Sequence, residues 1–104
     1  MTIATRNHTA QEIYNDITAY MKQNGYNASF WYAGITQDID QRLFGYHNVS
    51  KQYDSWVWCP AINIIHARSA EKALLDFGCD GGDGGGDNDA VCVYCYLKTS
   101  GTKR

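Results

Sequence analysis

At 104 residues the chain has the usual length of one domain, and its 44% hydrophobic and 19% charged residues are typical of a folded globular protein. No apolar run approaches the ~20 residues of a membrane-spanning helix, so no association with a membrane is expected. The net charge of −2 argues against tight non-specific binding to nucleic acid but is compatible with a local basic groove. The length predicts a single domain over 1–104. The N-terminal segment lacks the basic and apolar parts of a signal peptide, so a cytoplasmic location is expected.

The four cysteines raise the question of disulfides or a metal. Reduced thiols are expected in the cytoplasm. Cys92 and Cys95 have the C-x2-C spacing of a metal site, but they lie in AVCVYCYLK, which has the pattern of a strand. Residues three apart on a strand point to opposite faces, so buried core thiols are favoured over a zinc site. Cys59 and Cys79 are too irregularly spaced to complete a ligand set convincingly.

The first element in chain order is a helix over about 10–24. Thr9 and Glu12 have the spacing of a capping box, which satisfies free amide groups at the start of a helix. Gly25 stands where a left-handed C-terminal cap is favoured. An apolar stripe with helical spacing lies between these signals and consists of Ile13, Ile17, Tyr20 and Met21.

A strand over 28–35, rich in aromatic residues, is predicted next. Asp38 and Gln41 then repeat the capping-box spacing and predict a helix over about 39–48. The inner face of that helix is expected to carry Ile39, Leu43 and either Tyr46 or His47.

A short strand over 55–59 is expected to stop at Pro60, which has no amide for a central ladder. The helix that follows has two alternative starts, Ala61 or a residue near Ala67, and it ends at Gly78 in either case.

The segment over 80–89 holds five glycines and four aspartates. Its spacing does not match a calcium-binding repeat, so a flexible connection is favoured over a calcium site. A last strand is predicted over 90–98, and the tail 99–104 is expected to fray. Together these elements predict an α+β fold, a small sheet of about three short strands covered by about three helices.

Two motifs resemble parts of the GIY-YIG nuclease signature. YAGITQDIDQR, from Tyr32 to Arg42, resembles its second half, in which Y-x-G is followed by a short turn and an arginine ten residues after the tyrosine. ARSAE, from Ala67 to Glu71, resembles the A-x3-E helix of the same family. The resemblance covers about residues 30–77.

This resemblance implies a GIY-YIG-like domain that cleaves phosphodiester bonds of DNA with Mg²⁺ or Mn²⁺. Arg42 would hold the scissile phosphate, Glu71 the metal ion, and Tyr32 would position or activate water. Such chemistry needs a cation for the phosphoryl oxygens and a hard oxygen ligand for the metal. A tyrosine with an ordinary pKa near ~10 is a poor base at neutral pH, so the role of Tyr32 depends on its neighbours.

The first half of the signature has no counterpart before Tyr32, where the sequence predicts a helix. If the last strand takes the vacant place in the sheet, Tyr94 or Tyr96 stands in for the first tyrosine of the family. Asn88 is the candidate for a late asparagine of the family.

The family commonly places a histidine four residues after the arginine, where this chain has Tyr46. His47 is five residues after Arg42, which is about 140° round an ideal α-helix. Either the helix is distorted at Gly45 and His47 serves, or Tyr46 fills the position.

The sequence therefore predicts five catalytic side chains, Tyr32, Arg42, Tyr46, His47 and Tyr94, with Glu71 as the metal ligand. A second hypothesis is a catalytically inactive relative that binds nucleic acid or a protein, since the chain is acidic and lacks the first half-motif. A third is a metal-stabilised module that uses the cysteines. The pattern does not decide the oligomeric state.

Overall fold

The computed structural model describes residues 7–25, 27–82 and 88–104. In these residues the order of helices and strands is the one that the sequence predicts, and the fold is a small α+β fold. The bounds are α1 at Ala10–Gln23, β1 at Trp31–Thr36, a π-helix at Asp40–Tyr46, β2 at Trp56–Pro60, α2 at Ile64–Phe77 and β3 at Cys92–Leu97. A 3₁₀ turn at Ala28–Phe30 takes the first residues of the predicted first strand. No helix in the described ranges is long and apolar enough to cross a membrane.

Side-chain caps set the starts of both α-helices. The Thr9 hydroxyl accepts from the Glu12 amide at 3.2 Å, and the Glu12 carboxylate accepts from the Thr9 amide at 2.9 Å, which confirms the capping box. The Asn63 side chain accepts from the His66 amide at 3.0 Å, so α2 begins between its two predicted starts. Gly78, with φ of +129°, ends α2.

The sheet is antiparallel with the order β1-β3-β2, so the last strand of the chain is the central one. Tyr94 of β3 lies opposite Gly34 of β1 on one side and Trp58 of β2 on the other. Pro60 is the last residue of β2. Proline has no amide hydrogen to donate, and β2 tolerates it because one side of an edge strand is not paired.

The two faces of the sheet have different partners. Both α-helices contact the same face, where an aliphatic core includes Ile13, Ile17, Trp31, Ala33, Val57, Cys59 and Val93. The opposite face carries a second cluster of buried side chains, Tyr32, Leu43, Val49, Tyr94 and Tyr96. We call this second face the aromatic face, and most of the predicted site residues lie on it.

The tail does not fray as predicted. The Lys103 amide donates to the His47 carbonyl at 2.7 Å, and the Thr99 amide donates to the Thr102 hydroxyl at 3.0 Å. These bonds hold the last residues against the aromatic face. Residues 83–87 of the predicted flexible loop lie outside the described residues.

Candidate active site

A cleft opens on the aromatic face between β1, the π-helix and the segment that follows α2. Its outer part has a volume of about 440 Å³ and is lined by Tyr32, Arg42, Tyr46, Asp80, Gly82 and Arg104, among others. A smaller recess of about 60 Å³ is lined by Tyr32, Gly34, Arg42, Glu71, Gly82 and Tyr94, among others. The recess therefore brings together four of the six predicted site residues.

The π-helix decides the placement of His47. The His47 amide donates to the Arg42 carbonyl at 2.9 Å, an i to i+5 bond that brings His47 one helical turn after Arg42. His47 is buried at 1% exposure, whereas Tyr46 is 56% exposed. The helix is thus distorted in the stretch that contains Gly45, and His47 is the residue on its inner face. Tyr46 instead lies beneath the Arg42 guanidinium, 5.0 Å from ring centroid to Cζ.

Hydrogen bonds fix the tautomer of His47. Its Nδ1 lies 2.6 Å from the Lys103 carbonyl oxygen, which can only accept, so Nδ1 carries the proton. In the neutral ring Nε2 must then accept, and the Tyr94 hydroxyl donates to it at 2.8 Å. Burial is the main cause that lowers the pKa of the His47 imidazole, and the nearby charge of Arg42 lowers it further. The hydrogen bond to Lys103 raises this pKa but does not cancel the effect of burial. The neutral form therefore dominates at neutral pH.

The Tyr94 ring passes over Gly34 on the neighbouring strand. A Cβ atom at Gly34 would lie 2.5 Å from the Tyr94 hydroxyl oxygen and 2.6 Å from Cζ, closer than atoms can approach. Glycine at this position is what allows the Tyr94 hydroxyl to reach both His47 and the recess.

Gly34→Ala is accordingly expected to displace the Tyr94 ring and to lower the free energy of unfolding by about 1–3 kcal/mol, the usual cost of overpacking a filled interior. Urea denaturation measures the loss. The double variant Gly34→Ala with Tyr94→Ala removes the clashing ring, and should therefore lose less than the sum of the two single variants. Additive losses would show that the two residues do not interfere.

The phenols of the cleft are poor bases. Burial raises the pKa of Tyr94, and burial together with the charge of Asp80 raises the pKa of Tyr32. The Tyr32 ring stacks on Tyr96 at 5.3 Å and contacts the His47 ring at 4.8 Å between centroids. Both hydroxyls are neutral at neutral pH and are suited to donate hydrogen bonds or to pass on a proton.

Glu71 reaches the recess from α2 and supplies its carboxylate. The side chain is half-buried. Burial raises its pKa, while the charge of Arg68 acts in the opposite direction with a smaller effect. Within the described ranges neither Glu71 nor Arg42 takes part in an ion pair. A half-buried carboxylate that forms no ion pair within the described ranges fits Mg²⁺ or Mn²⁺, which take one or two carboxylates and fill their other positions with water and phosphate oxygens.

Asp80 and Arg104, at the mouth of the cleft, were missed by the sequence analysis. Asp80 exchanges backbone hydrogen bonds with Trp31 and Ala33 at 2.8 and 2.9 Å, and so covers the outer edge of β1. Its carboxylate pairs with Lys98 at 3.2 Å and with Arg104, and the bond to Arg104 is the main cause of its lowered pKa. The only general indication of such a segment was that an outer strand of a sheet has an unpaired edge, which another part of the chain often covers.

Asn88, the candidate for the late asparagine of the family, is exposed and does not line the described parts of the cleft. Comparisons with protein-family models, with characterised proteins and with solved structures found no match. The geometry of the cleft is therefore the basis on which a function can be proposed for this chain.

Proposed function

We propose that this chain is a divergent GIY-YIG-like endonuclease that cleaves phosphodiester bonds of DNA with Mg²⁺ or Mn²⁺. One observation carries the proposal. Tyr32, Arg42, Glu71 and Tyr94 come from four different elements, β1, the π-helix, α2 and β3, and line a single recess. A phosphate, a metal ion and a water molecule require this combination of a cation, a hard anionic ligand and hydroxyl groups.

Arg42 is suited to hold the scissile phosphate. A guanidinium group donates two parallel hydrogen bonds to phosphate oxygens, and stacking on Tyr46 restricts its orientation before substrate binds. Glu71 would hold the metal ion, which when bound polarises the phosphoryl oxygen and stabilises the charge that develops on it.

The Tyr94–His47 pair is suited to accept the proton of the attacking water. The water proton passes to the Tyr94 oxygen while the Tyr94 proton passes to Nε2 of His47, which leaves a neutral phenol and an imidazolium. This transfer requires a neutral imidazole, and the lowered pKa of His47 supplies one. Tyr32, with its raised pKa, would position the water by a hydrogen bond rather than deprotonate it.

The rate of cleavage is expected to fall as the pH drops through the pKa of His47, which burial holds below the ordinary value of about 6.5, because protonated His47 can no longer accept. Tyr94→Phe should lower the rate about 100-fold and remove this pH dependence, since it disconnects His47 from the recess. Single-turnover rates between about pH 5 and 8 measure both effects. Tyr53→Phe, at a side chain 82% exposed and outside the lining of the cleft, is the matched control. An unchanged profile in Tyr94→Phe would refute the proton path.

The stability of the fold should also depend on the protonation of His47. The folded state binds the His47 proton more weakly than the unfolded chain, so stability is highest above the unfolded pKa of about 6.5 and falls as the pH decreases from there to the lower folded pKa. His47→Gln should remove this component, as a comparison of urea denaturation at the two ends of the range can measure.

A second candidate is a catalytically inactive module that binds nucleic acid or a protein. The net charge of −2 favours the protein-binding form of this candidate, because a negative net charge repels phosphate. Binding of DNA or capture of a protein without cleavage would support this candidate over the nuclease.

The test is cleavage of labelled single-stranded, double-stranded and branched DNA in Mg²⁺, in Mn²⁺ and in excess chelator. The proposal expects products only with a metal ion. Failure to cut any of these substrates with either metal would leave the binding module as the better proposal. The proposal includes a cytoplasmic setting, in which the four free cysteines would stay reduced.

A further inference from the structure

A second cluster of ligating side chains lies on the opposite side of the sheet from the cleft. An imidazole nitrogen of His8, a carboxylate oxygen of Asp16 and the sulfur of Cys59 lie within 4.8 Å of one another. Cys59 belongs to the aliphatic core under the two α-helices, so this cluster is separate from the residues of the proposed nuclease site. It is the one group of three or more such ligands within residues 7–25, 27–82 and 88–104.

The backbone fixes these three residues relative to one another. The His8 amide donates to the Pro60 carbonyl and the Ile62 amide donates to the His8 carbonyl, both at 2.9 Å, directly after Cys59 in the chain. The capping box that follows His8 starts α1, and Asp16 lies two turns further along this helix. The cluster is therefore preorganised by hydrogen bonds that do not involve its own side chains.

Burial gives the cluster a closed and an open side. Cys59 is fully buried and His8 is 7% exposed, whereas the Asp16 side chain is 41% exposed. The carboxylate stands 4.0 Å from Nε2 of His8, beyond a hydrogen bond, and Nδ1 of His8 is buried without a hydrogen-bond partner among the described residues. The Asp16 carboxylate stands near Nε2, so the three donor types and their mutual distances, not the orphaned Nδ1, are what indicate a metal ion.

We propose that His8, Asp16 and Cys59 bind a thiophilic divalent cation, with Zn²⁺ as the best fit. Thiolate sulfur, imidazole nitrogen and carboxylate oxygen are the three ligand types of Zn²⁺, whereas Mg²⁺ and Ca²⁺ select oxygen alone. Zinc bonds of about 2.0–2.3 Å place the donor atoms of a tetrahedral site about 3.3–3.8 Å apart, so the cluster has to contract by about 1 Å. Three protein ligands leave a fourth position for water on the exposed Asp16 side.

Binding displaces one proton for each metal ion. The Cys59 thiol loses its proton to solvent as the sulfur–metal bond forms, and no electron is transferred. Affinity should therefore fall as the pH decreases. The bound cation would join the segment before α1, α1 itself and β2, and so raise the melting temperature.

The experiment is a titration of the reduced 104-residue chain with Co²⁺, a spectroscopic substitute for Zn²⁺, followed by competition with Zn²⁺. The proposal expects one equivalent to produce a near-ultraviolet thiolate-to-cobalt band that Zn²⁺ removes. Cys59→Ser should abolish the band, while Cys92→Ser, at a partly buried thiol outside the cluster, should retain it.

If Cys59→Ser fails to fold, a substitution of the exposed ligand Asp16 still tests the proposal. Asp16→Ala should weaken Co²⁺ binding by at least about 10-fold and reduce the rise in melting temperature with Zn²⁺, and Asp76→Ala on α2 should change neither. Absence of a band in the wild-type chain, an equal band in Cys59→Ser, or unchanged affinity in Asp16→Ala would each overturn the proposal. None of these results depends on DNA cleavage, so this proposal and the nuclease proposal can fail separately.

Discussion

Arg42→Ala is expected to lower the rate of DNA cleavage about 10³-fold, the usual effect of removing a positioned cation from a phosphoryl-transfer site. Arg42 is the cation that lines both parts of the cleft, and it forms no ion pair within the described residues that could hold it elsewhere. The variant should still fold, because the side chain is only partly buried and helps to line an open cleft. Single-turnover cleavage and circular dichroism measure the two properties.

Arg42→Lys is the informative partner of this variant. It retains the charge but loses the planar pair of donors and part of the stacking on Tyr46, so we expect an intermediate rate. Lys22→Ala, at an exposed cation of α1 outside the lining of the cleft, is the control. A rate in Arg42→Ala close to that of the wild type would remove the phosphate-binding role of Arg42.

Glu71→Gln is expected to abolish metal-dependent cleavage while it stabilises the fold. The amide is nearly the same size as the carboxylate but is a weaker ligand for a hard cation, so cleavage should fall at least about 100-fold at a fixed concentration of Mg²⁺.

Glu71→Gln should raise the stability of the fold although it lowers the rate of cleavage. Burial raises the pKa of Glu71 in the folded chain, so stability is greatest below the unfolded pKa and is lost as the pH rises through the folded pKa. A neutral glutamine removes that loss, and the melting temperature at neutral pH should increase by a few degrees. Asp76→Asn, at an exposed carboxylate on the same helix, controls for the change in net charge. Equal rates in Glu71→Gln and Asp76→Asn would contradict the role of Glu71 as metal ligand.

Local patterns predicted the elements well, because the interactions that set their ends are local. The Thr9–Glu12 capping box and the glycine at the end of α2 each act within a few residues of the chain. Half of the predicted Asp38–Gln41 capping box is present. The Asp38 side chain accepts from the Gln41 amide at 3.1 Å, but the Asp38 amide donates to the Thr36 hydroxyl, also at 3.1 Å. The helix that follows is nevertheless a π-helix, and neither its capping signal nor its apolar spacing distinguishes that geometry from an α-helix.

Long-range contacts explain what the sequence could not predict. The central place of β3, which brings Tyr94 beside Gly34, depends on pairing between residues 60 apart in the chain. Of the two tyrosines proposed to replace the first tyrosine of the family, Tyr94 lines the recess, while Tyr96 is fully buried and bonds to Lys103. The tail that holds His47 and the cluster around Cys59 are likewise assembled from distant segments without a motif.

The central claim is that one recess, with Arg42 and Glu71 in it, cleaves DNA. The most direct measurement compares the wild-type chain with Arg42→Ala and Glu71→Gln on the same labelled DNA, all three purified in the same way and shown to be folded. We expect metal-dependent cleavage by the wild-type chain and loss of cleavage in both variants. Absence of cleavage by the wild-type chain, or equal cleavage by all three proteins as a contaminating nuclease would produce, would contradict it.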